Sequence, residues 1–382
     1  MRLSPTLTGL ATYPFVRLDE ARNRAIARGL ELVDFGLGDP REKTDGLIRR
    51  ALVGAIEEVS SYPRAQGLPE LRAAIADWCS RRFGAELDPD RHVIPTLGSK
   101  EAIFSLAQLV VDRAGGRDLV VVTEPGYPVP ERGALFAGAE PIALPLREEN
   151  GFLPDLDGLD EDTWRRVAVF WVNYPNNPTG AVAPLSFFHE LAARAREHDF
   201  VLASDEAYSE LYFDEPPASA LQLGDLRNVA VFNTLSKRSS MTGYRSGFVA
   251  GDEELVAALR FFRPTVGTAP QEFVQRASVA AWGDEEHVER VRGVYRRKRE
   301  ALIPVLLDKG WRIAGSRATF YLWVEVPDGA SSEAFSERLL EVGVVVAPGS
   351  YFGPAGEGYV RFALVPTQEE CRRAANLLRE VE

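Results

Sequence analysis

The chain has 382 residues, enough for two domains and short for three, and its 45% hydrophobic and 26% charged residues describe a soluble globular protein with ample core. A net charge of −12 argues against a basic nucleic-acid-binding face. No apolar run approaches the ~18 residues of a membrane span and the start lacks a basic-then-apolar leader, so a cytoplasmic protein is expected, with no membrane partner.

Taken in order, residues 1–15 read as irregular, because Pro5, Gly9 and Pro14 interrupt any helix. An amphipathic helix is predicted over Val16 to Arg28, closed by Gly29. Val33 to Pro40 reads as a short strand ending in a glycine turn. Its G-x-G lacks a third glycine and meets Pro40 where a helix should open, which argues against a dinucleotide fingerprint. Gly67 and Pro69 mark a turn before an amphipathic helix that runs on from Glu70, and Tyr62 on its own reads as packing in that turn.

VIPTLGSKEAIFSLAQLVV predicts a strand, the small-residue turn Gly98-Ser99-Lys100, and a long helix. Such a helix start directs free N–H groups and the positive dipole end at an anion; Gly98 permits close approach and Ser99 adds a hydroxyl. A plain helix cap is the alternative, and Lys100 reads more simply as solvated than as a ligand. The strand in DLVVVTEPGYPVPE then delivers Tyr127, held between Gly126 and Pro128 at a strand end, where ligands collect in open α/β sheets. RVAVFWVNYPNNPTG is an almost continuously apolar strand, as in a parallel sheet covered on both faces, ending at Asn176 and Asn177 between prolines. DFVLASDEAYSELYF repeats the pattern and ends at Asp205. A carboxylate there is costly unless it meets a cation; Glu206, one residue on, is directed elsewhere.

The organising stretch is FNTLSKRSSMTGYRSGFVAG, Phe232 to Gly251. One apolar run, Val229 to Phe232, enters it and another, Ser246 to Ala250, leaves it, so Lys237 lies between buried strands. A desolvated lysine is commonly a nucleophile or a Schiff-base former. Thr234 and Ser236 before it and Arg245 eight residues after it form an anion site around the amine; a polar hairpin loop is the plainer alternative. Beyond, helices are expected from Glu272 to Leu307 with a break near Gly283, and strands over Arg317–Val326, Val342–Ala347 and Tyr359–Val365. A last helix is expected from Glu369 to Val381. Arg361 sits in an otherwise apolar strand, and a buried arginine wants a bidentate anion.

Cys79 and Cys371 lie far apart with no C-x-x-C spacing and read as reduced packing residues. The histidines at 92, 189, 198 and 287 show no metal-ligand spacing, and no metal is expected.

T-L-S-K followed eight residues on by arginine resembles the cofactor-lysine segment of class I/II aminotransferases, fold-type I enzymes that use pyridoxal 5'-phosphate. The other motifs occur in that family's order over nearly the whole chain. The resemblance implies an α/β fold with a mostly parallel sheet in a large domain, residues 45–280. A smaller α+β domain would join residues 281–382 to residues 1–44. It further implies that Lys237 carries the cofactor and moves the proton, that Asp205 holds the pyridine nitrogen, and that Tyr208 and Asn177 meet the phenolic oxygen. Tyr127 would stack on the ring, with Gly98, Ser99, Lys100, Thr234, Ser236 and Arg245 toward the phosphate. Arg361, Asn177 and Gly38 would meet the substrate carboxylate. A homodimer with shared sites is implied, in which Tyr62 reaches the partner's phosphate. Two departures concern substrate shape: Pro130 stands where relatives carry a second aromatic, and the N-terminal segment aligns poorly.

The substrates implied are an amino acid and a 2-oxo acid, probed further by PTLGSKEAIFSLAQ, FRPTVGTAPQEF and VAPGSYFGPAGEGYVRFAL. These stretches most resemble N-succinyldiaminopimelate aminotransferases of lysine biosynthesis. Aspartate, aromatic or LL-diaminopimelate transamination, or a lyase on the same scaffold, are the alternatives, since bond choice at Cα depends on orientation. Arg263 aligns loosely with a distal-carboxylate arginine supplied by the other subunit; a surface or helix-end arginine is the alternative. A serine hydrolase would need G-x-S-x-G, which is missing.

Overall fold

Seven strands that are apolar along their length make one sheet, and their order explains where polar residues emerge. The computed structural model describes residues 1–10 and 15–381. In chain order the strands are β1 (Val33–Asp34), β2 (Val93–Thr96), β3 (Leu119–Glu124), β4 (Glu140–Pro145), β5 (Val167–Asn173), β6 (Val201–Asp205), β7 (Val229–Thr234) and β8 (Gly247–Gly251). They continue with β9 (Ile313–Ala314), β10 (Tyr321–Glu325), β11 (Val344–Val345), β12 (Ala347–Pro348) and β13 (Tyr359–Ala363). The large sheet runs β2-β8-β7-β6-β5-β3-β4. Its members are parallel except β8, which is antiparallel to both β2 and β7 because it returns directly from the Lys237 turn. The α/β fold with a mostly parallel central sheet is thus as expected.

Alternation along β5 shows why these strands read as continuous apolar runs. Phe170 and Val172 face a core built with the helices Pro69–Phe83, Leu185–His198 and Glu272–Gly283. Val169 and Trp171 face the opposite core, beneath Ser99–Val110 and Glu253–Phe262. With helices on both faces, every inward position is apolar and only strand ends can present polar groups.

A second, smaller sheet, β12-β13-β10-β9, is antiparallel, and β1 pairs in parallel with β11. Val33 and Phe35 therefore share a core with Leu322, Leu339, Phe362 and Leu378, so the N-terminal segment packs with the C-terminal one. The final helix, Gln368–Arg379, opens with a reciprocal cap between Thr367 and Glu370. Glu272–Gly283 and Glu286–Asp308 are separate helices, with the expected break between them. Both cysteines are buried and free.

Two local expectations are corrected. Pro5 starts a helical turn, Pro5–Thr8, rather than breaking one, because proline suits the first helical position; the expected break at Pro14 lies outside the described residues. The first long helix begins at Phe15 and ends at Ala27, with Gly29 following at positive φ.

Phe170 is fully buried and stacked near Trp164 at 5.8 Å. Phe170→Ala is expected to lower the unfolding free energy by about 3–5 kcal/mol, read from the denaturant midpoint at unchanged slope.

Candidate active site

The strand ends of β5, β6 and β7 open into one cavity of about 610 Å³. Of the residues singled out in the sequence, Gly38, Ser99, Lys100, Tyr127, Asn177, Asp205, Tyr208, Thr234, Ser236, Lys237, Arg245 and Arg361 line it together.

At its centre Lys237 stands on the single helical turn Leu235–Arg238 that follows β7. Its Nζ donates to the carbonyl of Gly38 at 2.8 Å. Burial brings the amine down to about 8; Asp39 and Asp205 oppose that shift, while Arg361 and Arg245 reinforce it. Asp205 ends β6, is buried, and accepts from the amide of Ala207 at 3.2 Å. Desolvation pushes its carboxyl up to about 7. Glu206 does turn away, to Ser204 Oγ and the amide of Ala220, both at 2.9 Å.

An anion pole forms on one side. Gly98 caps the helix Ser99–Val110 at φ 69°, a conformation that favours glycine, and a Cβ there would lie 2.5 Å from Arg245 Nη2, so the guanidinium would have to shift. Thr234 Oγ1 and Ser236 Oγ are 3.0 Å apart, and Arg245 Nη1 reaches Ser236 Oγ at 3.5 Å. Lys100 is exposed, its Nζ 5.9 Å from the Tyr127 ring centroid.

On the other side β13 brings Arg361. Its Nη1 donates to Asn177 Oδ1 at 2.9 Å and its Nη2 to the carbonyl of Gly36 at 2.8 Å. Its guanidinium carbon lies 4.4 Å from the Tyr321 centroid and 4.6 Å from that of Phe352. Tyr208 and Tyr321 share a hydroxyl contact of 2.8 Å.

Several contributors escaped the sequence reading. Asn173, the last residue of β5, donates to the backbone of Asp205 at 2.8 Å and accepts from the amide of Asn177 at 2.8 Å, locking two strand ends. Its signal was available, since it is a polar residue closing an apolar strand. Asp39, Phe15, Tyr321 and Phe352 line the cavity through tertiary packing, which no local pattern announces. Asn176 is a turn residue, with Oδ1 accepting from Thr179 Oγ1 at 2.8 Å.

Two expected residues lie elsewhere. Arg263 is wholly buried and committed inside its own chain, to Glu101 Oε1 at 2.7 Å and to the carbonyls of Pro95 and Ala65. Reaching a partner's substrate would break that ion pair, which argues against the distal-carboxylate role expected of Arg263. Tyr62 is fully exposed and outside the cavity of its own chain. Among the described residues, no cluster of His, Cys, Asp and Glu could hold a metal ion, and no helix is long and apolar enough to cross a membrane.

A half-buried lysine, a strand-end carboxylate, an anion pole and a buried arginine around one cavity define an amine-transferring enzyme of the lysine-cofactor type. The model of aminotransferase classes I and II matches residues 31–378, and the chain belongs to that family, whose members are pyridoxal-phosphate-dependent transaminases. It is 42% identical over 384 residues to the LL-diaminopimelate aminotransferase of Aquifex aeolicus, covering 98% of each chain. It is 38% identical to that of Halothermothrix orenii, over 99% of this chain and 98% of the relative. A solved structure of a probable N-succinyldiaminopimelate aminotransferase from Thermus thermophilus superimposes with TM-score 0.89 at 34% identity, over 96% of this chain and 100% of that one.

The residues present fit the cofactor. At Asp205 desolvation outweighs the Lys237 charge, and a protonated ring nitrogen would supply the closer cation that a buried carboxylate needs. The Gly98 cradle beside Arg245, Thr234 and Ser236 suits a phosphate dianion.

The two shifted groups give a pH signature. The folded-state value of Asp205 is raised, so without cofactor stability falls as pH rises from about 4 to 7. That of Lys237 is lowered, so stability is regained only between about 8 and 10.5. Cofactor-free Asp205→Asn is therefore expected to be more stable than the parent at pH 8, by on the order of 3 kcal/mol, with the gap closing toward pH 5. Thermal unfolding at the two pH values measures this; equal gaps would contradict it.

Proposed function

We propose that the protein is a cytoplasmic LL-diaminopimelate:2-oxoglutarate aminotransferase, working as a homodimer with shared sites. The observation that carries transamination at this site is that one loop binds both reacting poles. Gly38 accepts from Lys237 Nζ while Gly36 accepts from Arg361, so amine and carboxylate-binding guanidinium are set across one cavity.

Arg361 would hold the substrate α-carboxylate through its paired N–H groups, with Asn177 already oriented beside it. Lys237, with its amine brought down to about 8, is neutral in a usable fraction near neutral pH and can take the proton from Cα. Asp205 would hold the pyridine N–H, Gly98, Ser99, Thr234, Ser236 and Arg245 the phosphate, Tyr127 the ring face, and Tyr208 the phenolic oxygen. When bound, pyridoxal phosphate supplies the carbonyl that exchanges amino groups and the ring that accepts the electron pair left at Cα.

The substrate assignment rests on the relatives. LL-diaminopimelate aminotransferases align at 38–42% identity over essentially the entire chain, above the 34% of the N-succinyl-type structure. The free diamino acid is therefore preferred to the N-succinylated one that local stretches suggested. Purified protein should show a visible cofactor band that Lys237→Ala abolishes. In single half-reactions, LL-diaminopimelate and glutamate should bleach the band faster than aspartate or aromatic amino acids. Faster bleaching by N-succinyl-LL-diaminopimelate would return the assignment to the N-succinyl class.

Assembly is supported by exposed apolar side chains on two neighbouring segments. Val53, Ile56, Val59 and Tyr62 are exposed on one segment and Phe261 and Val266 on another, the two joined where Arg263 donates to the carbonyl of Ala65; a second copy would cover such apolar surface. Mixing inactive Lys237→Ala with an impaired Tyr62→Ala protein should recover activity through hybrid dimers carrying one intact site. No recovery after demonstrated subunit exchange would count against sharing.

A further inference from the structure

Lys237 belongs to a helical turn of only four residues, too short to hold its own shape. What braces it is the stretch just after it. Arg238 Nη1 donates to the carbonyl of Ala281 at 2.6 Å and its Nη2 to Glu285 Oε1 at 2.6 Å, with its guanidinium 5.0 Å from the Trp282 ring. Ser239 Oγ lies 2.8 Å from His287 Nε2, and His287 Nδ1 lies 2.7 Å from Asp284 Oδ2. Residues 281–287 are the joint between the helices Glu272–Gly283 and Glu286–Asp308. Arg238, Ser239 and His287 are all buried.

Serine, histidine and aspartate in hydrogen-bonded series have the order of a nucleophilic triad. Ser239 does not line the cavity, however, so it has nothing to attack. The donor directions assign another role. Ionised Asp284 only accepts, so Nδ1 carries the proton and Nε2 offers a lone pair to the Ser239 hydroxyl. The Ser239 oxygen in turn faces Arg238 Nη1 at 3.4 Å. The chain runs one way: Arg238 to Ser239 to His287 to Asp284. A proton on Nε2 would reverse its middle link and set a second cation against Arg238.

The groups facing the imidazole are Asp284 at the joint, Arg238 on the lysine turn, and Asp45, which accepts from Arg290 at 2.8 Å. Burial and Arg238 favour the neutral ring, against Asp284 and Asp45.

We propose that His287 is a positioning residue for Lys237: through Ser239 it fixes the lysine turn against the helix joint, and this sets the reach of the amine into the cavity. The proposal rests on Lys237 as the reacting amine. Its acceptor must be neutral, so wild-type turnover should fall on the acid side as His287 protonates.

The test has two arms. In cofactor-free protein, His287→Leu and Ser239→Ala should speed amide hydrogen exchange across residues 232–246 about tenfold, leaving β5 and β6 unchanged. In the holoenzyme each should lower kcat about tenfold with KM within about twofold, and the double variant should be no worse than the poorer single one. His287→Gln, which keeps an acceptor near Nε2, should recover most of kcat while losing the acid limb that the imidazole contributes. Unchanged local exchange and an unchanged pH profile, with only a lower Tm, would overturn the proposal, as would His287→Gln matching His287→Leu. If Lys237→Ala kept transaminating, the reading of Lys237 would fail by itself, while the exchange arm would still report on the brace.

Discussion

Desolvation of one amine is the constraint on which the rest of this structure depends. Lys237 is half-buried in the cavity wall, where its ammonium is poorly tolerated, and its environment answers in two opposed ways. Asp39 and Asp205 favour the charged form, while Arg361 and Arg245 and the loss of water disfavour it. The result is an amine near the middle of its titration at neutral to mildly basic pH, able to hold a proton or give it up. A lysine on the surface of the same sheet would stay protonated and inert.

The sheet makes such a position possible. Helices on both faces force β5, β6 and β7 to be apolar along most of their length, so polar side chains collect toward the ends of those strands. Asn173, Asp205 and Thr234 are each a last residue of a strand. Asn173 then ties two of those ends together by bonding the Asp205 backbone and the Asn177 amide. β8 runs against its neighbours because the lysine turn is short, and its pairing with β2 brings Arg245 beside Gly98.

The second sheet closes the cavity from the opposite side. β13 carries Arg361 and β10 carries Tyr321, and the aromatic rings around the guanidinium hold it in a fixed plane while its donors stay directed at Gly36 and Asn177. The N-terminal stretch from Gly36 to Asp39 lies between the two sheets' contributions and bonds to both Lys237 and Arg361. The first residues of the chain and the last strand are thus parts of one binding surface.

Sequence by itself determined the parts that local chemistry governs. Continuous apolar runs ending in Asn177, Asp205 and Lys237 announced a covered parallel sheet with its site at the strand ends, since each pattern has one cheap folded solution. Arg361 was legible because an arginine in an apolar strand demands an acceptor. What tertiary structure alone decided involves partners far apart in the chain. Tyr321 and Phe352 look like ordinary core aromatics until β10 and β13 are set beside Tyr208 and Asn177. Arg263 looks free to serve a ligand until Glu101 and the Pro95 carbonyl are found around it. His287 shows no pattern with Ser239 or Asp45 in sequence, because the hydrogen bond and the charge that orient it depend on where helices meet, not on spacing along the chain.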